Sequence, residues 1–179
     1  MIKLNRLLVL ASLVSLPAGT FAQNQSPVAT PAQTSSYPVI VTYMCVFVPI
    51  VSTTSEKTTW NFSNATSIGL ATGINILYSD KFGFSFDLSP VVTTANGTSK
   101  VANLIFDPGP IFRLKKGLAI ITRAAFETAG RYGESTVISK ALSPSKRTSA
   151  IVALGIPIRF GNNLPASIGA TLFLGIGFK

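Results

Sequence analysis

The residues of this sequence that could do chemistry are few. No histidine occurs among its 179 residues, which removes Ser-His-Asp and Cys-His nucleophiles and the histidine-bearing catalytic zinc sites in one step. No glycine-rich phosphate loop follows a strand and opens a helix. The glycines of GLATG (69–73) and GIGFK (175–179) fall inside alternating segments and read as close-packing positions. The single cysteine, Cys45, cannot form an internal disulfide and reads as a small apolar side chain.

What remains is a set of isolated charges. Asp87, Asp107 and Glu127 project to the same side of their segments as Arg113, Arg123 and Arg159, a side otherwise made of Gly, Ala, Ser and Asn. Three carboxylates and three guanidiniums facing one interior are expected to neutralise one another in a structural network, because an unpaired buried charge is costly. Two other uses of the same residues stay open: a selective ion path, and paired carboxylates for glycoside hydrolysis, which no other feature supports. A second group lies in the polar stretch 130–147, where Glu134 opposes Arg131, Lys140, Lys146 and Arg147. As a surface loop it would be solvated, with the means to contact phosphate anions. Nothing calls for a cofactor or a metal.

The elements that must position these charges are strands. In KFGFSFDLSPVV (81–92), Phe82, Phe84, Phe86 and Leu88 alternate with Gly83, Ser85, Asp87 and Ser89, the period of a strand with two unlike faces. The same pattern recurs at 68–78, 102–114, 118–128, 150–160 and 168–178. The run 39–51 is apolar on both faces, which leaves its facing open. These are seven segments; an even count needs an eighth, for which YGESTVISKAL (132–142) is the candidate, while 57–63 could extend the second. Ser79-Asp80, Lys115-Lys116-Gly117 and Asn162-Asn163-Leu164-Pro165 have tight-turn compositions. The connections 52–66, 94–100 and 130–147 read as longer loops, so short turns are expected at one end and long loops at the other. Pro90, Pro108, Pro110 and Pro157 fall inside the segments, where bulges or strand ends are expected.

Composition decides which solvent the large side chains face. Hydrophobic residues make up 47% and charged residues 12%, the latter about half the usual share. Yet the longest apolar run, 39–51, is interrupted by Thr42 and Pro49 and falls short of the ~20 residues a membrane helix needs. A soluble sandwich would carry Lys, Glu and Gln on its outer face. Here the face opposite the large residues is small, as the crowded inside of a narrow barrel requires. The expected fold is therefore all-β: an antiparallel up-and-down transmembrane β-barrel of eight strands, with its greasy face toward lipid. A secreted soluble β-sandwich binding protein is the competing architecture.

The N-terminus supports export. MIKLNRLLVLASLVSLPAGTFA carries Lys3 and Arg6, an apolar stretch from Leu7 to Leu16 and small residues before Ala22, so residues 1–22 read as a cleaved signal peptide. Residues 23–37 read as a flexible leader and 38–179 as the barrel. Of the net charge of +9, Lys3 and Arg6 belong to the signal segment, and the +7 left on the remainder suits an anionic surface.

With these features the chain resembles the small outer-membrane β-barrel proteins of Gram-negative bacteria, the broad OmpA/OmpX-like group. The resemblance covers about residues 38–179 and includes the last strand, ASIGATLFLGIGFK, with Phe178 on its lipid face. Members of that group usually end on the aromatic residue itself, and this chain adds Lys179. The resemblance implies a place in the outer membrane, contact with its lipid and with lipopolysaccharide, and insertion by the barrel assembly machinery. It also implies a structural, adhesive or surface-interaction role without catalysis and without a nucleic-acid partner. A small porin is the second reading.

Overall fold

The structure, a computed structural model, describes residues 37–142, 145 and 147–179. The expected signal segment, all of the leader except Tyr37, and Lys146 lie outside the described residues.

Among the described residues nine strands follow one another: β1 Val39–Thr54, β2 Thr58–Trp60, β3 Thr66–Leu77, β4 Phe82–Ala95, β5 Thr98–Arg113, β6 Leu118–Glu127, β7 Arg131–Leu142, β8 Thr148–Gly161 and β9 Ser167–Phe178. Eight of them close a barrel. Each long strand pairs antiparallel with the next, and β1 closes the ring on β9. The short β2 pairs only with the far part of β1, where Val51 faces Trp60. The segment 132–142 is thus the core of a full barrel strand, β7.

The alternation sorts the faces as a membrane barrel requires. On β4, Phe82 is 41% exposed while Ser85 is fully buried, so the small face points inward and the phenylalanines outward. On β1, Cys45 and Phe47 point in while Met44 and Val46 are exposed, which settles the facing of a run that is apolar on both sides. Its inner residues are large because they fill the barrel. Aromatic side chains gather on the outside near both ends: Tyr78, Phe82, Phe112 and Phe178 where the chain enters and leaves the barrel, and Phe126, Tyr132 and Phe160 at the opposite, distal end. Aromatic girdles flanking an apolar band mark the two interfaces of a transmembrane barrel.

The expected division into short turns and long loops is not found. The β3–β4 and β5–β6 turns lie at the terminal end, as read, but the Asn162–Pro165 turn lies at the distal end. There, 94–100 shrinks to a two-residue hairpin at Asn96-Gly97, with φ of 51° and 73°, the conformation such hairpins favour. The stretch 130–147 is mostly strand. The reason is that β4, β5 and β7 run past the apolar band into water. Their polar ends look like loop in sequence but keep pairing, as Thr94 with Ser99 and Arg131 with Gly161.

The prolines stay inside strands. Pro108 and Pro110 pair with Phe86 and Phe84 on the β4 side, whereas no register partners join Asp107–Pro110 to β6 between the Phe106–Phe126 and Ile111–Ile121 pairs. Residues two apart in a strand direct their backbone groups to the same neighbour, so both missing N–H groups fall on the β6 side. Comparable gaps in the ladder accompany Pro90 between β3 and β4, and Pro157 between β8 and β9. Register shifts occur between Pro49 and Val51, beside another proline inside β1, and between Val91 and Val92, next to Pro90, whereas the ladders at Pro108, Pro110 and Pro157 keep their register.

Candidate functional site: the charged lumen

The six charges singled out from sequence are not one network. Four of them form two separate pairs, each reaching across an intervening strand. Arg123 on β6 contacts Asp87 on β4 at 3.2 Å, with both side chains almost fully buried. Arg159 on β8 contacts Glu127 on β6 at 2.5 Å.

Each pair is satisfied by neutral neighbours. Arg123 Nη2 donates to Tyr43 Oη at 2.7 Å and to Ser85 Oγ at 2.8 Å. Asp87 accepts from Tyr43 Oη at 2.8 Å and Ser89 Oγ at 2.5 Å. Tyr43 therefore donates to the acid and accepts from the base. The second pair is held likewise: Arg159 Nη1 donates to the Glu134 carbonyl at 2.7 Å and Nη2 to Ser135 Oγ at 2.9 Å, while Asn103 Nδ2 donates to Glu127 Oε2 at 2.7 Å. A buried pair with its remaining donors and acceptors filled is the arrangement that offsets desolvation best.

Two of the six stand apart. Arg113 ends β5 at the terminal end, where its backbone N–H bonds Lys81. Among the described residues no carboxylate pairs with it, because β5 has by then left the charged layer. Near it, Tyr37 donates to Asp80, and this hydrogen bond raises the Tyr37 phenol above its usual pKa. Asp107 faces Asp87 directly across the β4–β5 ladder. It is only 8% exposed, and its Oδ1 is buried without a hydrogen-bond partner.

These groups divide the lumen. On the terminal side of the Arg123 layer, Leu77, Ile111, Ile121, Val137 and Ala153 form a buried apolar cluster with Val39 and Val41 packed on it. On the distal side a cavity of about 390 Å³ runs from Asp87, Asp107 and Arg123 past Glu127 and Arg159 to the exposed Ser52 and to Arg131. Phe47, Val91, Ile105 and Phe173 form its apolar wall. Among the described residues, no group of three or more His, Cys, Asp and Glu side chains is placed to hold a metal ion.

No protein-family model matches the chain, and no curated protein matches it in sequence. Solved structures match in shape. Ail, the attachment invasion locus protein of Yersinia pestis, aligns with a TM-score of 0.51 at 8% identity, over 78% of this chain and 97% of that one. The de novo designed protein TMB2.3 gives 0.48 at 10% identity over 79% and 94% of the two chains. The likeness to Ail is one of fold.

Of the four basic residues read as one surface loop, the three that are described, Arg131, Lys140 and Arg147, are dispersed. Arg131 opens β7 at the distal end, where its Nη2 donates to the carbonyls of Arg159 and Pro165. Lys140 lies at the other end of the same strand and donates to the Lys116 carbonyl. Arg147 is also at the terminal end, next to the start of β8. Arg131 and Lys140 therefore do not share one loop, because the strand that carries both separates them by the length of the barrel.

Proposed function

We propose that this chain is a resident of the bacterial outer membrane, exported by cleavage after Ala22, with a structural or surface-interaction role and no catalysis. The observation that carries the proposal, and with it the reading of a closed lumen, is the set of paired charges and apolar side chains that occupy the barrel interior. Arg123 reaches from β6 to Asp87 on β4 and Tyr43 on β1, and on the terminal side the apolar cluster around Ile111 and Ile121 borders a smaller cavity of about 80 Å³. A conducting path needs a continuous polar route, and a barrel of eight strands is normally filled by its own side chains. The channel reading is correspondingly weakened.

The orientation proposed places the terminal end in the periplasm and the distal end outside. The distal β1–β3 connection presents Trp60 and Phe62, both more than half exposed, and the β8–β9 turn presents Leu164. Exposed apolar side chains on a polar rim suit a binding surface. Ail, an attachment invasion locus protein, has the same fold, which is compatible with such a role. Lipid, lipopolysaccharide and the barrel assembly machinery are the partners this reading entails.

Two measurements test it. The purified barrel in planar bilayers is expected to give no discrete conductance steps; steady, ion-selective steps would overturn the closed-lumen reading. In cell fractionation the chain is expected in outer membranes and to resist carbonate extraction, and recovery as a soluble periplasmic protein would overturn the location.

A further inference from the structure

Among the described residues, two buried polar atoms of the distal cavity have no hydrogen-bond partner, and they are of opposite character. Asp107 Oδ1 is a buried acceptor with no donor, and Arg131 Nε a buried donor with no acceptor; both residues line the cavity. Every other charged group there is matched: Asp87 by Arg123 and Glu127 by Arg159. Leaving a buried carboxylate oxygen unpaired is expensive, and evolution has an inexpensive remedy in an amide or apolar residue. The torsion that turns a carboxylate is broad and roughly two-fold, so Asp107 can present either oxygen to the cavity.

We infer that the distal cavity is a binding pocket for a small primary ammonium compound, with the ammonium on Asp107, the apolar body against Phe47, Val91 and Phe173, and an acceptor group toward Arg131. The volume of about 390 Å³ lies in the ~300–1,000 Å³ range of small-molecule sites, which are mostly apolar with a few fixed polar groups. Exposed Ser52 at the rim gives an entry from the distal end. A metal ion fits less well, since among the described residues no third carboxylate, cysteine or histidine joins Asp87 and Asp107 in a group placed to hold one. A simple anion would meet Asp107 at the floor.

The inference rests on the closed lumen proposed above only in that the pocket is blind. Ion conductance by the unmodified protein would overturn the closed lumen and leave the binding test standing. The test uses the full barrel refolded in detergent and three probes of nearly equal shape: isoamylamine (ammonium only), leucine (ammonium and carboxylate) and 4-methylvaleric acid (carboxylate only). Binding is read from chemical-shift changes of methyl groups in the cavity wall. Leucine is expected to bind at least as tightly as isoamylamine, and both at least tenfold tighter than 4-methylvalerate. Asp107→Asn keeps the shape and removes the charge, so it should fold and lose the preference for both amines. Arg131→Lys should weaken leucine and leave isoamylamine unchanged. The inference is overturned by equal binding of the acid and the amine, by amine binding that survives Asp107→Asn, or by the absence of any saturable shift.

Discussion

Arg123 of β6 and Asp87 of β4 form an ion pair of 3.2 Å across the strand that lies between them. The strand they bypass, β5, offers a glycine at that point. A Cβ on Gly109 would lie 2.6 Å from Arg123 Cα and 2.0 Å from the Thr122 carbonyl oxygen. The small residue lets β5 and β6 approach where two prolines have already removed the ladder hydrogen bonds.

Removing one member of this pair should be costly. Arg123→Ala leaves Asp87 charged, buried and supported only by two hydroxyls, and breaking a buried pair in this way typically costs ~3–5 kcal/mol. The double substitution Arg123→Leu with Asp87→Leu should recover most of that loss, since apolar replacements of buried pairs are often neutral. Urea unfolding in lipid vesicles measures both. A double variant no more stable than the single one would show that the charges are not acting as a pair.

Gly109→Ala should destabilise by ~1–3 kcal/mol or more, as overpacking does, because the atoms it meets are backbone. Its effect should not add to that of Arg123→Ala, since contacting residues couple by ~0.5–3 kcal/mol. Gly97→Ala is the control: its Cβ would meet nothing within 4 Å and only its φ of 73° is strained. Strict additivity of Gly109→Ala and Arg123→Ala would break the proposed link between glycine and ion pair.

Tyr43→Phe removes a single hydroxyl that donates to Asp87 and accepts from Arg123. The loss of a hydroxyl serving buried charged groups should cost ~1–3 kcal/mol without changing the strand register. The same urea series measures it, and the far-ultraviolet spectrum should stay unchanged. No loss of stability would mean that water replaces the phenol.

Tyr43 also illustrates what could and could not be seen in the sequence. The alternation at 82–92 revealed which face carried Asp87, because small and large residues are segregated there. On β1 both faces are apolar, since the inner one fills the lumen, so nothing distinguished Tyr43 as a lumen residue. Ser85 and Ser89 were legible in principle: each lies two residues from Asp87 and so shares its face. Pairing was not legible, because Arg123 could meet Asp87 or Asp107 depending on the shear of the barrel, which no single strand encodes. The loops misled for a different reason. Thr, Ser and Lys at 93–100 look like a connection, and only long-range pairing shows that they extend β4 and β5 beyond the membrane.

The outer face gives the last prediction. Leu88 lies near the middle of the apolar run of β4 and is 47% exposed on the outside. If that side meets hydrocarbon, Leu88→Arg should cost ~2–4 kcal/mol, falling to ~0–1 for a similar change near an interface. A soluble barrel would instead tolerate arginine on its outer face, so the sign of the effect separates the two environments. Nitroxide labelling supplies an independent reading. With Cys45→Ala as background, a label at Phe84 in a lipid-reconstituted barrel should be relaxed more by oxygen, which concentrates in the bilayer, than by a water-soluble nickel chelate. A label at Gly97, in the open distal hairpin, should show the reverse. Equal access of the nickel chelate to both positions would show that the phenylalanine row faces water.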